Sequence, residues 1–154
     1  MSSYFLQTGQ SGSVVPDPDL ELNLKIYRKL HDAINKGLVL STHDCSDGGL
    51  ANTLSELVIG SGFGLDIDIA KVPYDGRARN DFILFSESAG RIVVEVDEAN
   101  AAKFESLFDG LPCAPIGTVV ADNRLKLTNG TENLVSISGD DLYAEWSAPI
   151  SSII

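Results

Sequence analysis

The stretch LSTHDCSDGGLANTLSEL, residues 40–57, constrains this chain more than any other. A glycine pair, Gly48 and Gly49, stands between a short apolar run and a segment in which Leu50, Leu54, Leu57 and Val58 recur at helical spacing. The run LVLST (38–42) is apolar and carries β-branched residues, so it fits a buried strand, and the apolar repeat fits one buried face of a helix. The chain is therefore expected to turn from strand to helix at the glycines, with Gly60 and Gly62 ending the helix. If Asp47 caps that helix, the N–H groups of Gly48, Gly49 and Leu50 lie at its N-terminus, where unpaired donors and the macrodipole favour an anion. A phosphate is the natural guest. Asp44 and Asp47 would repel it unless Mg²⁺ or another cation intervenes, so these carboxylates either hold metal or point away into structure. The plainer alternative is architectural: Asp caps, Gly takes positive φ, and the turn needs nothing more. Neither GxGxxG nor GxxxxGK[ST] is present, and Glu56 falls one place too late for a calcium loop that starts at Asp44. His43 has two readings, an acid or base near neutral pH or a hydrogen-bonded organiser of the turn. Cys45 is read as structural, because the other histidine, His31, belongs to a separate helix.

The flanking segments supply the frame. PDPDLELNLKIYRKLHDAINKG offers Asp17 as N-cap, Pro18 at the first helical position, an apolar stripe of Leu20, Leu24, Tyr27, Ile34 and Leu38, and Gly37 as the stop. GLDIDIA alternates Leu65, Ile67 and Ile69 with Asp66 and Asp68, the period of a strand with one buried face. Residues 71–81 read as a surface loop, and FILFSES fits a strand or the end of a short helix equally well. GRIVVEV reads as a strand, followed by a helix capped by Asp97 and closed by Gly110. CAPIGTVV, RLKL and NLVSI read as strands with a turn at TNG, and GDDLYAEWSA as a capped last helix whose Trp146 docks on the core. Alternation that ends in hairpins points to an α+β or mixed-sheet layer architecture. With no linker and no internal repeat, residues 1–154 are read as a single domain.

Eleven Lys and Arg against 22 Asp and Glu leave a formal net charge of −11, which repels nucleic acid and anionic lipid. No apolar run is long enough to span a bilayer, and the start has neither a basic segment nor an apolar one; a soluble, cytoplasmic protein is expected. Cys45 and Cys113 are read as reduced thiols without zinc-site spacing. In LFSESAGR, Glu87 and Arg91 lie near strand ends, where sites are often built; the plainer reading is a solvated turn with an exposed ion pair.

In order and spacing, HDCSDGGLANTLSEL, GFGLDIDI, LFSESAGRIVVEV and the IGTVV that precedes RLKL resemble the C-terminal domain of phosphoribosylformylglycinamidine synthase, over about residues 4–150. FLQTGQSGS matches the family's glycine-containing opening only loosely, and Cys45 stands where an aliphatic residue is more usual. The resemblance implies a three-layer α/β/α domain with a mixed, largely antiparallel sheet, partly ferredoxin-like, as in the aminoimidazole ribonucleotide synthetase superfamily. It implies a part in the ATP- and glutamine-dependent conversion of formylglycinamide ribonucleotide to its amidine in purine biosynthesis, where ATP activates the amide oxygen and ammonia displaces it. Carried over residue by residue, Ser46, Gly48, Gly49 and Leu50 would bind substrate or phosphate, Asp44 or Asp47 would orient the loop or hold metal, and Glu87 would line the cleft; the family's catalytic histidine belongs to the N-terminal half, and His43 stays a catalytic candidate from the loop reading alone. ATP and Mg²⁺ would be held mostly by an N-terminal synthetase domain that this sequence lacks, so the chain alone is expected to be inactive. The partners implied are that domain, a glutaminase subunit, a small accessory subunit and a second copy in a homodimer. Two alternatives stay open: a domain of another superfamily member, such as aminoimidazole ribonucleotide synthetase, or a noncatalytic dimerisation module.

Overall fold

The computed structural model describes residues 2–12, 17–76 and 78–151, the last two by their backbone. Its elements run α1 (Ser3–Thr8), α2 (Leu20–Asn35), β1 (Ser41–Asp44), α3 (Gly49–Ser61), β2 (Gly64–Asp68), α4 (Asn80–Phe85), β3 (Ile92–Glu95), α5 (Ala101–Leu107), β4 (Gly117–Val120), β5 (Arg124–Asn129), β6 (Glu132–Ser138) and α6 (Gly139–Ser151). Short 3₁₀ turns at Ile69–Lys71 and Glu98–Asn100 begin at Asp68 and Asp97, whose carboxylates accept from Ala70 and Ala99. The mixed, largely antiparallel pairing is as the resemblance implied, but the strands divide between two sheets. One has the order β4–β2–β5–β6, and its β2–β5 pair is parallel; the other is the antiparallel pair β1–β3.

Two apolar clusters hold these layers together. In the first, Leu50, Leu54 and Val58 of α3 meet Ile67, Leu125 and Leu127 of the larger sheet, Ile83 and Leu84 of α4, and Cys45. In the second, Leu30 and Ala33 of α2 meet Phe104 and Phe108. Strand β3 lies between them: Val93 packs on the first cluster, Ile92 and Val94 on the second. A strand covered on both faces has no polar side to show, which explains the unbroken IVV run.

Several expected boundaries move, each for a local reason. Helix α2 starts at Leu20 with Asp19 as its cap, its carboxylate accepting from Leu22 N–H at 2.9 Å, and not at Pro18 with Asp17. Gly37 does close this helix, in the left-handed region at φ 66°, with Leu38 N–H returning to Ala33 O. The buried face of α2 is Ile26, Leu30 and Ala33, whereas Leu20, Leu24, Tyr27 and Ile34 of the expected stripe are exposed. Both sets recur at helical spacing, and periodicity alone does not say which one meets a partner. Strand β1 covers Ser41–Asp44 instead of 38–42, because pairing with β3 sets the ladder while Leu38 and Val39 pack on α2 and α5. The open reading of FILFSES resolves to helix α4, which ends at Phe85. Helix α3 runs through Gly60 and ends at Gly62, φ 71°. Ser138 caps α6, accepting from Asp141 N–H at 3.1 Å, but Trp146 is 53% exposed and stacks on Tyr143 instead of docking; Leu142 packs on the core. No helix of the described residues is long and apolar enough to cross a membrane.

Candidate functional site

Pairing of β1 with β3 brings the two singled-out blocks together. His43 lies opposite Val93, Asp44 opposite Ile92, and Cys45 N–H donates to Arg91 O at 2.9 Å. The chain then leaves β1, turns through Gly48 and Gly49 at φ 79° and 64°, and enters α3. Both values lie in the left-handed region that side chains disfavour. Gly49 is also pressed against the end of α4: a Cβ there would lie 2.6 Å from Ser86 O and 2.9 Å from Leu84 O. Gly48 is the N-cap, without a side-chain cap bond, so Asp47 does not cap the helix as expected. Two successive left-handed residues carry Asp47 outward: its side chain is exposed, and its backbone carbonyl accepts from Asn52 Nδ2 at 3.1 Å.

An anion does meet the loop, and it is the protein's own. Glu87 Oε1 accepts from Gly48 N–H at 2.9 Å and from Ser3 N–H at 2.8 Å. Burial pushes this carboxyl up, yet the N–H groups of Gly48 and Ser3 outweigh burial and leave it below the ordinary glutamate value. Gly49 N–H is occupied as well, donating to Ser46 O at 3.0 Å. Arg91 makes no exposed ion pair with Glu87; its guanidinium donates to Ser86 O at 3.1 Å and Ile83 O at 3.0 Å, closing the end of α4. Charged donors on orphan carbonyls make good helix ends, which accounts for an arginine at this place.

Around the turn, His43 Nε2 lies 3.0 Å from Glu56 Oε2 and Nδ1 lies 3.7 Å from Asp44 Oδ1. Glu56 Oε1 accepts from Asn52 Nδ2 at 3.2 Å, and Ser46 Oγ donates to Asp44 Oδ2 at 3.1 Å. His43 thus sits in a carboxylate-rich network that joins β1 to α3. Neither Asn52 nor Thr53 figures in the sequence reading, and Glu56 enters it only as a residue that does not fit a calcium loop. The four-residue spacing of Asn52 and Glu56 on one helix face was the available signal. Thr53, 2% exposed, has its hydroxyl 3.1 Å from the carbonyls of both Asp44 and Gly49 and ties the strand end to the helix start. Burial pushes the Cys45 thiol up.

Among the described residues no group of three or more His, Cys, Asp or Glu side chains is placed to hold a metal. Asp44 and Asp47 could at most contribute carboxylates to a Mg²⁺ whose remaining oxygens came from ligand phosphates and water. A cleft of about 360 Å³ is lined by Ile69, Tyr74, Asn80 and Asn129 among others; none of the loop residues lines it. The amino-terminal helix lies close to the turn: Tyr4 stacks on Phe85, and its hydroxyl donates to Asp81 Oδ2 at 2.9 Å.

Residues 1–129 match the family described as AIR synthase related protein, C-terminal domain. The phosphoribosylformylglycinamidine synthase subunit PurL of Methanococcus aeolicus is 34% identical over 141 residues, covering 92% of this chain and 19% of the relative. That of Lactobacillus helveticus is 36% identical over 139 residues, covering 89% and 18%. The chain thus spans about a fifth of the length of the curated relatives it matches. Thermotoga maritima PurL complexed with FGAR has the same fold, with a TM-score of 0.77, 18% identity, and coverage of 88% of this chain and 23% of that one. The hydrogenase maturation protein HypE of E. coli shares it at a TM-score of 0.64 and 19% identity, over 87% of this chain and 43% of that one.

Proposed function

Because the chain belongs to the AIR synthase related protein, C-terminal domain family, we propose that it works as the C-terminal domain of a phosphoribosylformylglycinamidine synthase. In that role it serves the ATP- and glutamine-dependent conversion of formylglycinamide ribonucleotide to its amidine, an ATP-dependent ligase reaction of purine biosynthesis in the cytoplasm. What carries the reading is the turn itself: two left-handed glycines at the start of α3, with a backbone N–H that already takes a carboxylate oxygen, in a chain about a third identical to PurL subunits. A donor that satisfies a carboxylate oxygen suits a phosphate oxygen equally. In this reading Ser46, Gly48, Gly49 and Leu50 hold phosphate-bearing ligand, Glu87 controls access to the Gly48 amide, and His43 organises the turn. ATP, with Mg²⁺, would supply activation of the amide oxygen, and this chain offers that metal no more than Asp44 or Asp47. In this reading the remaining machinery belongs to the rest of a synthetase, of which this chain matches 19% in the Methanococcus aeolicus relative, and the domain by itself does not turn over substrate. It acts as one part of a larger synthetase with a glutaminase subunit, a small accessory subunit and a second copy of the enzyme. Support for nucleotide use and for assembly comes from solved Thermotoga maritima relatives, PurL complexed with ATP and PurLQS.

The test substitutes Gly48→Val in the complete enzyme and follows glutamine consumption and amidine formation alongside assembly. Crowding the amides should lower turnover by at least about tenfold, the equivalent of one lost charge-assisted hydrogen bond, while assembly is retained. Full activity in an assembled variant would sink the reading and leave the loop as architecture in a noncatalytic assembly module.

A further inference from the structure

One carboxylate oxygen joins two segments far apart in sequence. Glu87 Oε1 accepts from Gly48 at the start of α3 and from Ser3 at the start of α1. Beyond that bond, α1 rests on the Tyr4–Phe85 stack, with centroids 4.9 Å apart and planes within 5°, and on the bond from the Tyr4 hydroxyl to Asp81. It has no buried residue and joins neither apolar cluster. A segment held by a few polar contacts and one ring stack opens far more readily than the packed core.

We propose that α1 is a strap latched onto the glycine loop by Glu87, so that strap and loop open and close together. Any anion that takes the Gly48 N–H must displace the oxygen that also holds Ser3, and the strap is released with it. Linkage makes the effect reciprocal: a loosened strap leaves Glu87 less firmly placed over Gly48, so the loop receives an anion more tightly. The ligand half of this rests on the phosphate role proposed above, while the latch is a property of the fold.

Native-state amide exchange separates the two. Tyr4→Ala removes the ring stack and the Asp81 bond yet touches neither Glu87 nor the loop, and it should speed exchange of the Gly48 N–H by about tenfold, which is about 1.4 kcal/mol of opening free energy. Glu87→Ala should shift the α1 amides while those of α2 and the larger sheet stay in place. Titration with inorganic phosphate should then move Gly48 and the α1 amides along one curve, at lower phosphate in Tyr4→Ala than in the wild type. Unchanged Gly48 exchange in Tyr4→Ala overturns the latch, as does phosphate that moves Gly48 while α1 stays in place. If Tyr4→Ala speeds exchange but phosphate moves neither segment, the latch stands and the phosphate role fails.

Discussion

Gly49→Ala and Gly37→Ala put the same methyl group on nearly the same backbone, φ 64° and 66°, in opposite surroundings. At Gly37 a Cβ meets nothing within 4 Å, so the variant feels only the left-handed conformation, about 1–2 kcal/mol. At Gly49 the same methyl lies 2.6 Å from Ser86 O and 2.9 Å from Leu84 O, backbone atoms at the end of α4 that cannot swing aside. Forcing that contact open adds about 1–3 kcal/mol, the usual range for overpacking, for a total of about 2–5 kcal/mol. Urea unfolding followed by far-ultraviolet circular dichroism reads both variants. With a slope of about 1–3 kcal/mol per molar, the Gly49 midpoint should fall by about 1 M or more, and further than the Gly37 midpoint. Equal destabilisation of the two, within about 0.5 kcal/mol, would refute the close approach of the glycine loop to α4 and the site geometry built on it.

Leu54, fully buried between α3 and the larger sheet, should cost about 2–5 kcal/mol as Leu54→Ala in the same unfolding assay. Trp146→Ser, at an exposed position, should change stability by less than about 1 kcal/mol. Because Glu87 titrates below its ordinary value in the folded chain, its contribution is present above the unfolded value of about 4.5 and is lost as pH falls through the folded value; Glu87→Gln should flatten the acid limb of stability against pH between these two. Removing the half-exposed His43–Glu56 pair with Glu56→Gln should cost no more than about 1 kcal/mol, measured by urea titration near neutral pH.

Much of this site could be read from residue types alone. The glycine pair, the helix that follows it, the strand GLDID and the hairpin that closes the chain all come from local signals: positive-φ residues, apolar periodicity and turn chemistry. What was not legible depends on partners distant in sequence. Nothing near Asp47 says that Gly48 takes the cap, since that follows from the backbone of α4 lying against Gly49. Nothing near Glu87 says that its carboxylate will sit on an amide 39 residues earlier, because the β1–β3 ladder and the packing of α3 on α4 bring the two loops together. Helix α2 failed for a different reason: two apolar stripes share one helix, and the exposed one follows the expected spacing as well as the buried one. The division of the described strands between two sheets likewise lies in long-range pairing, which periodicity does not encode.

Hydrogen–deuterium exchange across the complete synthetase, with and without formylglycinamide ribonucleotide, tests the phosphate-loop role most directly. Ligand should slow exchange at Ser46 to Leu50, and exchange in α1 should rise as the strap lets go. Saturation of the enzyme with no change anywhere between residues 44 and 52 would contradict the assignment and leave Gly48 and Gly49 with the purely architectural task of turning a strand into a helix.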